Sequence, residues 1–237
     1  MLLALDIETL PTTDPEVIEE LRKSISAPAN YSKPETIQKW MEENAANALA
    51  DKIAKTSFDG MYGSIACICY AFDDGEIHSV DCRDGEKKML EDFYSHVFDK
   101  TTTAHHSGFS SYRVVMVGHN VAAFDLPFIK HRSIINQVTP IDCFIKAFAA
   151  KPWSEEIADT MLMWSSDPHK RGSMDRICRA LGIPGKGDFD GSMVATTWPV
   201  DPEKVIAYCK DDVDRTRQMY KRLTFDFGGN QSDLLAA

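Results

Sequence analysis

The sequence contains no hydrophobic run approaching the roughly 20 residues that a membrane-spanning helix requires, so no transmembrane segment is predicted. It also shows no signal peptide, because Asp6 and Glu8 interrupt the apolar residues at its start. A cytoplasmic location and no membrane partner are therefore expected. None of the six cysteines forms a C-x-x-C pair, which argues against a zinc site and favours buried free thiols.

Positive charge is also scarce. Lysine and arginine total 26 against 36 aspartate and glutamate residues, which gives a net charge of −10. Proteins that coat duplex DNA are usually basic, because phosphate contacts dominate their affinity. The composition therefore argues against broad non-specific DNA binding. It still allows an enzyme that grips a few nucleotides and brings metal cations to its site.

The hydrophobic pattern predicts an α/β protein. Strands are predicted at 2–9, 64–72, 76–82, 114–117 and 157–164. Two helices are predicted after the first strand, the second with an apolar stripe from Ile37 to Ile53, and further helices alternate with the later strands. Residues 100–111 are predicted to form a polar loop. A hairpin followed by β-α-β units makes a mixed sheet with helices on its faces.

Asp6 and Glu8 lie two residues apart in the first predicted strand, so their side chains share one face. At ~4 Å two such charges repel by about 4 kcal/mol at an effective dielectric of 20. Either a lysine or arginine or a divalent metal ion is the usual counter-charge. Oxygen-only ligands suit Mg²⁺ or Mn²⁺ better than zinc. A pair at the strand end, already solvated, is the alternative.

Two more carboxylates stand out on predicted helices. Asp125 opens a helix after a short strand, where it could simply be an N-cap. On the last helix, 202–223, Tyr208 and Asp212 share a flank beside the buried stripe, whereas Asp211 points to water. An ordinary amphipathic helix with a boundary tyrosine would look the same.

The order of these segments is more specific than any one of them. LALDIETL, VGHNVAAFDLPFI and YCKDDVDRT resemble the three motifs of the DEDD exonuclease superfamily, and the Y-x-x-x-D spacing indicates its DEDDy branch. FDLPFI is similar to the proofreading domain of family B DNA polymerases. GSMDRICRALGIPGKGDFDGSMV, followed by AYCKDDVDRTRQMY, looks like stand-alone exonucleases related to that domain.

The resemblance implies an RNase H-like mixed five-stranded sheet flanked by helices, with a helical insertion at about 14–60 after the first strand. This single domain would span 1–225, and 226–237 would be a disordered tail. The implied metal ligands for two Mg²⁺ or Mn²⁺ ions are Asp6, Glu8, Asp125 and Asp212. Tyr208 would orient the attacking water, because an unperturbed tyrosine, with a pKa of about 10, is a poor general base.

Five further residues are candidate substrate contacts: Thr9, Leu10, Asn120, Phe124 and Lys186. Phe124 is predicted either to stack on a base or to belong to the core. Lys186, in G-K-G-D, is predicted either to contact a phosphate or to be an ordinary loop lysine.

The leading hypothesis is a metal-dependent 3′–5′ exonuclease that releases nucleoside 5′-monophosphates from single-stranded DNA. An exoribonuclease is the nearest alternative, because the motifs do not show how a 2′-hydroxyl would be read. A catalytically silent nucleic-acid-binding module is the other alternative. Replication or repair proteins are the conceivable protein partners, since a proofreading subunit beside a separate polymerase would fit the same motifs.

Overall fold

The computed structural model describes residues 1–105, 108–165 and 172–227. Its strands are β1 (Leu2–Leu10), β2 (Ser64–Phe72), β3 (Ile77–Asp81), β4 (Thr102–His105), β5 (Gly108–Ser111), β6 (Val115–Gly118) and β7 (Ile157–Asp159). Its helices are α1 (Pro15–Lys23), α2 (Pro34–Lys55), α3 (Glu86–Thr101), α4 (Asp125–Ile135), α5 (Asp142–Ala149), α6 (Thr160–Trp164), α7 (Met174–Leu181), α8 (Val194–Thr197) and α9 (Pro202–Leu223). None of the helices described is both long and apolar enough to cross a membrane.

The main sheet has five strands in the order β3-β2-β1-β6-β7, which confirms the predicted mixed α/β architecture. β1 pairs antiparallel with β2, and β2 pairs antiparallel with β3. β6 lies parallel to β1 on its other side, and β7 lies parallel to β6. The strand that carries Asp6 and Glu8 is therefore at the centre of the sheet.

The alternation of β1 divides the interior into two cores. Leu3, Leu5 and Ile7 face a core that also includes buried residues of α3, α4 and α5. Ala4 faces the opposite core, where β2 and α9 contribute most of the buried side chains. Asp6 and Glu8 continue the Ala4 face, because alternate residues of a strand point the same way. Helix α9 thus covers the face on which both carboxylates lie.

The predicted helical insertion contains α1 and α2, which contact each other. Neither helix contains a fully buried residue, so the apolar stripe predicted for α2 is only partly covered. The ring centroids of Trp40 and Tyr31 lie 6.5 Å apart. The Lys52 ammonium of α2 donates a hydrogen bond to the hydroxyl of Ser24, the residue that follows α1. How far the domain and its insertion extend remains a prediction, and residues 228–237 of the predicted tail lie outside the described part.

Two segments differ from their predicted structures. The strand predicted at 157–164 ends at Asp159, and α6 follows because the Asp159 carboxylate accepts the N–H groups of Met161 and Leu162. The predicted polar loop at 100–111 contains the antiparallel pair β4 and β5. In both segments local hydrogen bonds determine the secondary structure. Hydrophobic periodicity carries no information about such bonds.

Candidate active site

The first two carboxylates come from β1 and lie under α9. Glu8 is buried and Asp6 is partly exposed. Their oxygens and the Cys209 Sγ, which belongs to α9, all lie within 4.8 Å of one another. The pairing of β1 with β2 is irregular between Glu8 and Thr9, immediately beyond this pair. The predicted common face of Asp6 and Glu8 is therefore present.

A tight loop after β6 leads to the third carboxylate. At Gly118 a side chain would collide with Val121, since an added Cβ would lie 2.4 Å from the valine Cβ. Asn120 has a φ of 65°, in the left-handed region that asparagine tolerates. The buried carboxylate of Asp159 accepts the N–H groups of Asn120 and Ala122, at 2.9 and 3.1 Å. Asp159 is therefore occupied in shaping this loop.

Asp125 is the first residue of α4 and is almost completely buried. Its Oδ1 accepts the backbone N–H of Ile7 at 3.1 Å, between the two β1 carboxylates. That bond ties the start of α4 to the centre of β1. Asp125 therefore lies beside Asp6 and Glu8. Phe124, not Asp125, is the N-cap of α4, so the alternative that Asp125 is only an N-cap is wrong.

Tyr208 and Asp212 approach from the opposite side of the site, one helical turn apart on α9. Both are buried, whereas the Asp211 side chain is 68% exposed, as the helical spacing predicts. The Tyr208 ring packs against Phe189, with the ring centroids 5.0 Å apart. This contact fixes the direction of the tyrosine side chain.

Two cations reach Asp212. The Lys186 Nζ lies 2.6 Å from Oδ2 and also donates to the Tyr208 hydroxyl. The Arg215 Nη1 donates to Oδ1 at 2.8 Å. Arg215 also donates to the carbonyls of Pro184 and Gly185, so it holds the lysine-bearing loop against α9. Lys186 and Arg215 therefore supply part of the positive charge that the sequence analysis assigned either to a lysine or arginine or to a metal ion. The Lys186 ammonium lies at the carboxylate cluster itself.

The remaining carboxylates form no ion pair with any residue that the structure describes. Burial, followed by the charges of Asp125, Glu8 and Asp212, raises the pKa of Asp6 well above its usual value. Burial also raises the pKa of Glu8, and it raises that of Asp125 to about 7. Lys186 and Arg215 therefore do not offset the cost of ionising the other three carboxylates.

The pKa values of Tyr208 and Lys186, which both interact with Asp212, are both raised, so the tyrosine stays neutral and the lysine stays charged. Burial and the Asp212 charge raise the pKa of Tyr208, so its hydroxyl stays neutral at physiological pH. Burial opposes the charge of Lys186, but Asp212 and Tyr208 outweigh it and hold the lysine pKa above its usual value. Tyr208 can therefore donate or accept a hydrogen bond but is a poor proton acceptor.

The donor set suits a hard divalent cation. Asp6, Glu8, Asp125 and Asp212 supply carboxylate oxygens, which Mg²⁺ and Mn²⁺ prefer. The raised pKa values of Asp6, Glu8 and Asp125 show that burial disfavours their ionised forms, which a bound cation would stabilise. The Lys186 ammonium competes for one of the four, Asp212, so a cation there must displace or share that contact.

The other four predicted substrate contacts lie in different surroundings. The Thr9 hydroxyl donates to the Ser57 carbonyl at 2.7 Å, and Leu10 packs, partly exposed, against the core under α9. Asn120 is partly exposed in the loop before α4. Phe124 is partly buried against the other core, which agrees with its predicted place in the core, and its stacking on a base stays a prediction. Whether any of them contacts a substrate stays a prediction.

The sequence reasoning missed two neighbours of the site. Arg215 lies three residues after Asp212, a spacing that places both on one side of a helix and could have suggested the ion pair. Cys209 is predicted only to be a buried free thiol, like the other cysteines, yet its Sγ lies 3.5 Å from Asp6 Oδ2. No signal in the sequence indicates that contact, because it joins positions far apart in the chain.

The fold places the chain in a known structural class. It matches the structure of the family B DNA polymerase from the hyperthermophilic archaeon Pyrobaculum calidifontis with a TM-score of 0.54 and 15% identity. The match covers 94% of this chain but only 24% of the polymerase, and at this identity it shows the fold alone. The chain therefore shares the fold of part of a family B DNA polymerase.

A family model gives the narrower assignment. Residues 62–230 match the model described as a predicted 3′–5′ exonuclease related to the exonuclease domain of PolB. The chain belongs to this family. No curated protein sequence matches it.

Proposed function

We propose that the protein is a DEDDy-type, metal-dependent 3′–5′ exonuclease that removes nucleoside 5′-monophosphates from single-stranded DNA ends. The observation that carries this proposal is the meeting of Asp6, Glu8, Asp125 and Asp212 with Tyr208 at one site. These five residues come from three separate elements, and their negative charge is only partly compensated. A site with no cationic ligand would gain nothing from such an arrangement.

In this proposal the four carboxylates would hold two Mg²⁺ or Mn²⁺ ions. Such ions would supply an activated water and offset the charge that develops on the scissile phosphate and the leaving 3′ oxygen. Tyr208 orients the attacking water through its neutral hydroxyl. The Lys186 ammonium, which bonds to Asp212 and Tyr208, would also be placed to pair with a substrate phosphate at this site.

The test uses purified protein with Mg²⁺ or Mn²⁺ and single strands labelled at either the 5′ or the 3′ end. We expect a 5′-labelled strand to shorten progressively and a 3′-labelled strand to release labelled mononucleotide. Asp212→Asn should abolish the activity. Asp211→Asn is the matched control, because it removes a solvated carboxylate from the adjacent position and should leave activity unchanged. Activity in excess chelator would refute metal dependence.

Matched DNA and RNA oligomers of one sequence address the nearest alternative. Faster degradation of RNA would favour an exoribonuclease. If neither is degraded but either is bound, the protein is instead a silent nucleic-acid-binding module. Retention of every carboxylate and of Tyr208 supports the enzyme over the silent module, since a decayed site has no need of buried, mutually repelling charges.

A further inference from the structure

The segment between α2 and β2, residues 56–63, exposes large apolar side chains beside the candidate active site. Phe58 is 71% exposed, Met61 is 63% exposed and Tyr62 is 41% exposed. Isolated exposed apolar residues are common, but three within five positions concentrate exposed apolar surface in one short segment. We call residues 56–63 the aromatic segment.

The aromatic segment is fixed to the end of β1. The Thr9 hydroxyl donates to the Ser57 carbonyl at 2.7 Å, and the Thr12 N–H donates to the Thr56 hydroxyl at 2.8 Å. Thr9 immediately follows Glu8, one of the candidate metal ligands. The exposed side chains are therefore presented from backbone that is anchored next to the carboxylate cluster.

The same segment is fixed to α4 on its other side. Gly60 lies so close to Phe128 and His131 that an added Cβ would be 3.0 Å from the histidine Cβ. The Gly60 carbonyl accepts from Arg132 at 3.3 Å, and Arg132 is itself held by the half-buried Glu86. Anchoring on both sides reduces the conformational entropy that the exposed rings would lose on binding a ligand.

Phe58 is continuous with the predicted substrate path. Its ring lies 6.5 Å from that of Phe124, with the two planes tilted by 57°. Phe124 immediately precedes Asp125 and also contacts Phe128. The exposed ring of Phe58 therefore extends an aromatic row that begins next to the carboxylates.

We propose that Phe58, supported by Phe124, stacks on a base of the unpaired 3′-terminal strand and so makes the enzyme prefer single-stranded ends. Aromatic rings stack on every base, because each base has a π-face, whereas a paired base within a duplex is already stacked on its neighbours. The inference rests on the proposed function. It concerns a residue outside 62–230, the part matched by the family model.

Stacking by Phe58 makes no contact with the sugar, so it predicts no discrimination between DNA and RNA. It predicts instead that one particular base, counted from the 3′ end, contributes to binding. Dependence on one base position separates stacking from a general effect of Phe58 on folding or on attraction of the strand, which would be the same for every substrate.

The experiment combines Phe58→Ala with substrates that lack single bases. A set of 5′-labelled single strands carries one abasic site at successive positions from the 3′ end. On the intact strand, Phe58→Ala should lower kcat/KM by about 5- to 20-fold, toward the lower end of measured base–aromatic stacking energies. On the strand lacking the stacked base, wild type and variant should be equal. Phe58→Trp should retain the wild-type pattern.

Phe225→Ala is the matched control, since Phe225 is also exposed but lies beyond the far end of α9 from the site. It should behave as wild type on every substrate. Thermal unfolding of all variants checks that the exposed substitutions leave the fold intact. An equal loss on all substrates, or no loss on any, would overturn the proposal.

A binding measurement keeps this inference separate from the proposed function. Anisotropy of a fluorescein-labelled single strand, measured in chelator, needs no hydrolysis. If wild type binds but degrades nothing, the proposed function fails and the Phe58→Ala comparison still tests stacking. If Phe58→Ala binds as tightly as wild type, stacking fails whether or not the protein is a nuclease.

Discussion

The raised pKa of Asp125 predicts that the metal-free protein loses stability as the pH increases. The folded pKa is about 7, against about 3.9 for an unfolded aspartate. A raised carboxyl pKa means that the folded state keeps a proton which the unfolded state has already released. Stability therefore falls from about pH 4 through about pH 7 and stays low above that.

The size of the loss follows from the two pKa values. The full difference corresponds to about 4 kcal/mol, of which roughly 3 kcal/mol would be lost between about pH 5 and pH 8.5. Asp125 is only 3% exposed, so solvent screening does not reduce this figure. Asp6 and Glu8 act in the same direction, because their pKa values are raised as well.

Asp125→Asn removes the titration of Asp125 together with the charge by which it raises the pKa of Asp6. The amide oxygen of asparagine can still accept the Ile7 N–H, so the bond that anchors α4 is retained. Urea unfolding in chelator at about pH 5 and pH 8.5 should show a loss in wild type that exceeds the loss in the variant by roughly 3 kcal/mol. Added Mg²⁺ or Mn²⁺ should restore wild type more than the variant at the higher pH. Equal losses in the two proteins would refute the reasoning.

Three other substitutions test separate parts of the account. Tyr208→Phe removes the water-orienting hydroxyl and should lower kcat about 10- to 100-fold with KM unchanged, as steady-state kinetics would show. Arg132→Met removes the ionic partner of Glu86 from a pair whose side chains are only 12% and 11% exposed. It should lower the free energy of unfolding in urea by about 3 kcal/mol. Gly118→Ala forces a Cβ against Val121 and should lower stability by about 1–3 kcal/mol, read as a reduced Tm.

The sequence was most informative where the repeat of a strand or a helix determines which way a side chain points. Alternation in β1 placed Asp6 and Glu8 on one face, and the structure puts that face under α9. The helical period separated the buried Asp212 from the exposed Asp211 in the same way. The mixed sheet followed from the order of strands and helices. Each of these inferences needed only neighbours within a few residues.

Contacts between distant segments could not be inferred in this way. Lys186 was expected either at a phosphate or in an ordinary loop, and nothing local indicated that its ammonium would meet Asp212 and Tyr208. The apolar stripe on α2 shows a second limit of reasoning from the sequence. Its apolar period is genuine, but periodicity does not reveal how much partner surface is available to cover it.

The central claim, that Asp6, Glu8, Asp125 and Asp212 bind divalent cations, is tested most directly by Mn²⁺ titration followed by electron paramagnetic resonance. Wild type and Asp211→Asn should remove free Mn²⁺ from solution equally, and Asp6→Asn should remove much less. If wild type leaves Mn²⁺ free, Lys186 and Arg215 are the only counter-charges the site uses, and the proposed chemistry is wrong. Equal binding by Asp6→Asn would place the cation elsewhere on the protein.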